Sequence, residues 1–354
     1  MYIEILKAVN PEEYRRLEEA MRETRGERKT AVADEKHEYE IMIVGGGPAA
    51  MSAAIYSARK GLDVVLIAKK LGGQIENTAS IDNYLGMPGV SGADMFEAFR
   101  SHLEKYPIAE ALGSDAAQVK KIDNGFVVVT EDNRQFRVRS VIYCAGKEYN
   151  RLGVPGEESL VGKGVGFCAT CDAPLYRDKR VAVVGGGNSA FTSARDLLNF
   201  ASEVHLIHRR KEFTADAALV QEVLNSKNVT VHVGMVVRSF LGKDKLTGVQ
   251  LESADGKDTY DLSIDGVFLE IGLKPNTNPL KDLVELNDRG EVPVNRDQST
   301  TVKGLFAAGD VTDVEEKQIS IAVGQGALAA LSAHRYLIEN GLTSSRIGLK
   351  EPWE

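Results

Sequence analysis

Only three of the 354 residues are cysteine, one is tryptophan and ten are proline. Three cysteines are far too few for a disulfide-stapled secreted framework. No apolar run approaches the roughly 20 residues that cross a bilayer, so no membrane partner is expected. Met1 to Glu13 has no basic stretch followed by an apolar one. No export signal is therefore expected, and the setting expected is a reducing, cytoplasmic one. Positive charge is also short: 43 Lys and Arg face 51 Asp and Glu, for a net charge of −8. Nucleic acid is excluded as the main partner, because phosphate binding needs concentrated positive charge. What remains is an ordinary globular composition, 43% hydrophobic and 27% charged, long enough for about two domains.

The chain carries one fingerprint twice. Gly45-Gly46-Gly47-Pro48-Ala49-Ala50 follows the apolar run Ile41-Met42-Ile43-Val44, and Gly185-Gly186-Gly187-Asn188-Ser189-Ala190 follows Val181-Ala182-Val183-Val184. A pyrophosphate needs backbone to come close and N–H groups to point at it. Glycines supply the close approach and the tight turn; the start of the helix supplies the donors. Each copy lies after a strand and before an alanine-rich helix, with Ala50 and Ala190 in the third small-residue position, so both read as dinucleotide sites.

The end of the second strand in such a unit reads the ribose. It falls 23 residues after the first glycine in both copies, at Ala68 and at His208. Ala68 is not acidic and leaves the first site unassigned by this rule. His208-Arg209-Arg210 supplies cations that suit a 2′-phosphate, so the second site reads as one for NADPH.

Cys168-Ala169-Thr170-Cys171-Asp172 lies just ahead of the second copy. A structural zinc would need two further ligands at matching spacing. There is no second pair and the six histidines are scattered, so no metal is expected and a redox dithiol is the reading. Asp172 is placed to hold or deliver a proton when a thiolate leaves. Cys144 ends the apolar run Val141-Ile142-Tyr143 and reads as a small core residue. Two dinucleotide sites and one dithiol make an electron relay: nicotinamide, flavin, protein disulfide.

Residues 1–37 differ from the rest. Asn10-Pro11-Glu12-Glu13 opens a short helix with Tyr14, Leu17 and Met21 on one stripe, and Arg22 to Lys36 reads as a polar linker. From Glu38 the pattern is strand, glycine turn, helix (about 48–60), strand (64–67), then short strands over 108–145. It repeats as strand 181–184, helix 188–200, strand 204–207 and short strands over 229–271. Each half is a βαβ unit followed by a small β section, an α/β repeat at domain scale.

Taken together, Cys168-Ala169-Thr170-Cys171-Asp172, the second glycine turn, His208-Arg209-Arg210 and Gly309-Asp310-Val311 resemble the low-molecular-weight thioredoxin reductases, in order and spacing, over roughly residues 38–340. The resemblance implies two Rossmann-like, three-layer ββα domains. The FAD domain (38–150 and 272–345) would be interrupted by an NADPH domain (151–271), with a C-terminal tail at 346–354. It implies FAD contacts from Gly45, Gly47, Pro48, Ala49, Gly72, Gly73, Gln74, Asn83, Gly309, Asp310, Val311, Gln318 and Ile319. NADPH contacts would come from Gly185, Gly187, Asn188, Ser189, His208, Arg209 and Arg210. Cys171 would lie beside the flavin, Cys168 would attack the disulfide of a thioredoxin-like partner, and Asp172 would be the general acid. The family also implies a homodimer, and rotation of the inserted domain between half-reactions about crossings near Gly153 and Gly272.

One departure matters. Where the family carries a further arginine before alanine, this chain reads Phe213-Thr214-Ala215. The alternative reading is a related flavoprotein disulfide reductase that uses NADH or another donor, or serves a glutaredoxin-like or peroxidase partner. The peroxidase-linked kind has a thioredoxin-like domain ahead of the FAD domain, and residues 1–37 are short for one and hold no cysteine.

Overall fold

The computed structural model describes residues 30–75, 78 and 80–343. The helix expected from Asn10 and the tail at 346–354 lie outside these residues. In chain order the first elements are β1 (Ala31–Val32), β2 (Glu38–Val44), α1 (Pro48–Arg59), β3 (Val64–Ala68), α2 (Gly92–Leu103), β4 (Ile108–Leu112), β5 (Ala116–Ile122), β6 (Gly125–Thr130) and β7 (Gln135–Tyr143). Next come β8 (Lys147–Tyr149), α3 (Glu157–Leu160), β9 (Val165–Gly166), α4 (Ala169–Asp172), β10 (Arg180–Val184), α5 (Asn188–Leu197), β11 (Glu203–His208), α6 (Ala217–Leu224) and β12 (Val229–Val233). The last are β13 (Met235–Leu241), β14 (Gly248–Ser253), β15 (Thr259–Leu262), β16 (Gly266–Leu269), β17 (Leu273–Pro275), β18 (Leu305–Ala307) and α7 (Ile319–Glu339).

These elements form two compact units. One takes the described residues up to Gly73, Phe96–Ala145 and those from Thr277 on; the other takes Gln74–Met95 and Gly146–Asn276.

In the first unit the sheet order is β1-β4-β3-β2-β7-β6-β5, with β18 also on β7. Strands β1 to β4, the second half of β7 and β18 run parallel; β5, β6 and the first half of β7 form an antiparallel meander. Successive residues of a strand face opposite sides, and β2 uses both faces. Ile41 and Ile43 pack with α1 and α7, whereas Met42 and Val44 pack with Phe126, Phe136 and Val138 of the meander. The unbroken apolar runs of β2 and β3 are what a parallel strand covered on both sides requires.

The second unit repeats this plan. Its parallel sheet runs β12-β11-β10-β16-β9. Val181 and Val183 pack against Phe191, Ala194 and Leu197 of α5, while Ala182 and Val184 pack against Val237, Val249 and Leu251 of the antiparallel sheet β13-β14-β15. Helices on one face and a meander on the other give three layers in each unit, so the fold is the expected pair of dinucleotide-binding α/β domains. Strands β8 and β17, with which the chain enters and leaves the second unit, pair antiparallel. Gly272 next to β17 has φ +96° and Gly153 has φ +69°, both in the left-handed region that favours glycine.

Two of the differences from the sequence reading have a clear local cause. The linker ends in a strand: Ala31 and Val32 pair parallel with Ala109 and Glu110 on the edge of the first sheet. Helix α5 stops at Leu197, not 200. The Asn199 side chain there donates to the carbonyls of Arg195 and Asp196 and satisfies the last turn.

Candidate functional site

Both glycine turns are built alike. The first glycine makes the bend: Gly45 has φ +120°, and a Cβ added to it would lie 2.3 Å from the Cys144 carbonyl oxygen. At Gly185, with φ +157°, the same atom would lie 2.4 Å from the Glu270 carbonyl oxygen. The second glycine allows close packing, since a Cβ at Gly46 would meet the Lys70 carbonyl oxygen at 2.1 Å and one at Gly186 the His208 ring at 2.3 Å. The third glycine is different in both copies. Among the described residues, a Cβ on Gly47 would find only Gly73 Cα at 4.0 Å, and one on Gly187 only Thr214 Oγ1 at 3.6 Å.

Gly47 and Gly187 are the N-caps of α1 and α5 in nearly the same extended conformation. Neither helix has a side-chain cap or an acidic residue in its first turn. The free N–H groups and the helix dipole are thus left to an anion. A dinucleotide pyrophosphate fits both turns on these grounds.

The first unit gathers most of the residues expected at the flavin. Gly72 N–H donates to the Gly46 carbonyl at 2.8 Å, and a Cβ on Gly73 would lie 2.9 Å from Gly47 Cα. A Cβ on Gly309, whose φ is +79°, would lie 2.9 Å from Ala49 Cβ, which brings Asp310 and buried Val311 beside the turn. Gly309 N–H donates to Gln325 Oε1 at 2.9 Å, a residue of α7 that the sequence reading missed. Gln318 is the N-cap of α7 and Ile319 its first residue. Gln74 and Asn83 belong to the second unit. There the Gln74 side-chain amide donates to the Lys147 carbonyl, and Asn83 is exposed.

The second turn is framed by the loop after β11. Gly186 O accepts from Thr214 N–H at 2.8 Å and from Thr214 Oγ1 at 3.2 Å. Asn188 and Asp216 exchange two hydrogen bonds, of 3.1 and 2.8 Å. The His208 ring packs in the loop: its Nε2 lies 3.0 Å from the Glu212 carbonyl oxygen, and its ring lies 5.5 Å from that of Phe213. Arg209 and Arg210 are exposed, as are Asn188 and Ser189, and neither arginine has an ion-pair partner among the described residues.

Cys168 and Cys171 are joined in a disulfide with Cα atoms 5.3 Å apart. Cys168 caps the one-turn helix α4, its Sγ accepting from Cys171 N–H at 3.3 Å. Cys144 is free and buried, and burial pushes its thiol well up, so it stays a core residue. Asp172 ends α4. Its Oδ1 is buried with no hydrogen-bond partner among the described residues, and burial pushes the carboxyl up to about 6. A carboxyl that holds its proton near neutrality, beside a disulfide, can protonate a leaving thiolate. Its protonated fraction falls as pH rises through about 6. The rate of the proton-requiring step is therefore expected to decline over that range in the native protein. In Asp172→Asn that decline should flatten and the rate should drop about 10²-fold or more. Single-turnover exchange of the reduced cysteine pair with a protein disulfide, followed as a function of pH, measures both.

Among the described residues no group of three or more His, Cys, Asp or Glu could hold a metal, and no helix is long and apolar enough to cross a membrane.

Twin glycine turns on parallel sheets, with a closed cysteine pair in one of the two units, define a dinucleotide-dependent disulfide oxidoreductase. Residues 39–326 match the pyridine nucleotide-disulphide oxidoreductase family, and the chain belongs to it. That family implies FAD and a pyridine nucleotide. Curated relatives include the F component of alkyl hydroperoxide reductase in Staphylococcus aureus, 41% identical over 307 residues, covering 87% of this chain and 61% of that one. The chain thus spans about 61% of the length of the curated relatives it matches. Similar solved structures include the thioredoxin reductase of Streptococcus pyogenes MGAS5005, 34% identical with a TM-score of 0.81, covering 85% of this chain and 99% of that one. The thioredoxin reductase of Giardia duodenalis is 29% identical with a TM-score of 0.79, at the same coverages.

Proposed function

We propose that the protein passes electrons from NADPH through FAD and the Cys168–Cys171 disulfide to the disulfide of a thioredoxin-like protein. The observation that carries this reading is the closed cysteine pair followed directly by Asp172, whose buried carboxyl oxygen Oδ1 has no partner among the described residues. FAD, held at Gly45–Ala49 with Gly72, Gly73 and Gly309–Val311, would supply a two-electron carrier between nicotinamide and sulfur. The reduced Cys168 thiolate attacks the partner disulfide and forms a mixed disulfide. Cys171 then attacks Cys168 Sγ, closing the ring and releasing the partner as a dithiol. Asp172 holds the proton that the leaving sulfur takes up. The 34% identity to a thioredoxin reductase across 99% of its length supports this partner. A homodimer in the cytoplasm completes the reading.

A second outlet, a peroxidase, is favoured by the 41% identity to an alkyl hydroperoxide reductase component. The two part on one assay. Purified protein with NADPH should turn over a disulfide dye only when a thioredoxin is added; turnover only with a thiol peroxidase selects the second outlet. No turnover with any dithiol protein overturns both.

NADPH is preferred because Arg209 and Arg210 stand exposed beside the second turn. A charge-assisted hydrogen bond to a 2′-phosphate is worth about 1.5–3 kcal/mol. Each Arg→Ala change should therefore raise KM for NADPH by roughly 10- to 100-fold and leave KM for NADH within about twofold. Flavin reduction with each nicotinamide measures the ratio. Thr214→Arg, which adds a cation beside the loop, should lower KM for NADPH.

A further inference from the structure

Glu270 has no place in the relay described so far, yet it sits where its parts meet. It follows β16, and its N–H donates to the Val184 carbonyl at 2.8 Å, extending the sheet up to the second glycine turn. Its carboxylate accepts from Ser193 Oγ at 2.5 Å, and Ser193 is buried on α5, the helix that Gly187 caps. The same carboxylate accepts from the backbone N–H of Ala169, the residue after Cys168. One side chain therefore ties the start of the disulfide turn to the nucleotide helix, all within one unit.

Among the described residues no cation acts on this carboxylate; hydroxyl and amide are its stabilising contacts. Burial pushes it up to about 7, so above that pH the protein keeps a weakly compensated negative charge one residue from Cys168. Asp172, on the far end of α4, is the other acid of the turn, and Tyr176 the nearby phenol that feels its charge.

A thiolate at Cys168 needs donors and nearby positive potential. The Ala169 amide is taken by Glu270, and the carboxylate adds charge of the wrong sign. Both effects work against the reduced, partly ionised dithiol and in favour of the disulfide. We infer that Glu270, held by Ser193, is a positioning residue that lowers the reduction potential of the Cys168–Cys171 pair and so strengthens it as a donor. This rests on the proposed relay for its biological use, but the potential belongs to the cysteine pair alone.

The test equilibrates the FAD-loaded protein at pH 8 with mixtures of reduced and oxidised dithiothreitol. The step balances: the reagent's two thiols become its cyclic disulfide as Cys168–Cys171 becomes a dithiol. Glu270→Gln keeps an acceptor for Ala169 N–H but removes the charge; Glu270→Ala removes both; Ser193→Ala removes one anchor. Expected is a shift of the equilibrium toward the protein dithiol by about tenfold in Glu270→Ala, or about 30 mV for a two-electron couple. Glu270→Gln should shift it the same way by at least threefold, and Ser193→Ala by less. If Glu270→Ala does not fold, the other two variants decide. Shifts under threefold in both Glu270 variants, or shifts toward the disulfide, overturn the inference while leaving the relay intact. A native pair that never exchanges with dithiothreitol sinks the relay instead.

Discussion

Cys168→Ser is expected to abolish reduction of a partner disulfide, by at least about 10³-fold, while NADPH still bleaches the flavin at the native rate. Serine oxygen is a poor nucleophile toward sulfur at neutral pH and cannot form the mixed disulfide. Nothing in the glycine turns changes, because the Cys168 sulfur bonds within its own one-turn helix, to Cys171 N–H. Cys171→Ser separates the two sulfurs. Cys168 can still attack, but no second thiol resolves the adduct, so a covalent complex with the partner should accumulate. A non-reducing gel shows it as a band at the summed mass that dithiothreitol removes. An adduct formed by Cys168→Ser and not by Cys171→Ser would reverse the assignment of attacking and resolving sulfur.

The glycine turns give the second large effect, and their twin build lets one be broken at a time. An alanine at Gly46 puts Cβ 2.1 Å from the Lys70 carbonyl oxygen and 3.0 Å from Leu71 Cα, both backbone atoms. The turn itself must move, and its donors move with it. Overpacking of this kind costs about 1–3 kcal/mol, which in binding is roughly 5- to 150-fold. Gly46→Ala should therefore purify with little or no visible flavin absorbance per chain. An alanine at Gly186 meets the His208 ring, which Glu212 O and Phe213 hold in place. Gly186→Ala should stay yellow and show KM for NADPH raised by about tenfold. Equal flavin content in both variants would refute the assignment of one nucleotide to each turn.

The repeat is legible in the sequence because its signals are local. A run such as Ile41–Val44, fully buried on both faces, has no polar residue to mislead, and a glycine cluster between it and an alanine-rich stretch admits few other structures. Helix α1 and strands β2, β3, β10 and β11 accordingly fall within about two or three residues of their expected spans. The elements missed are those that tertiary contact creates. Ala31–Val32 is a strand only because β4 offers an edge. Glu270 shows no pattern in one dimension beyond a charge at the end of an apolar strand, and its partners Ala169 and Ser193 are 101 and 77 positions away. The packing of the His208 ring against Gly186 is likewise invisible in the sequence, where the residue reads only by its charge. Gln74 and Asn83 rest on family resemblance rather than on any local pattern, and their surroundings do not by themselves mark a nucleotide contact.

The two-residue strand β1 has a consequence of its own. It lies at the rim of the larger sheet, with both its residues exposed and Ala33 N–H donating to Glu110 O. Without it, β4 would present a bare ladder of amides and carbonyls, an open template for strand addition by another polypeptide. Small as it is, the segment occupies the ladder beside Ala109 and Glu110, and a short edge strand is one of the devices that disfavour intermolecular pairing, a selvedge on the sheet.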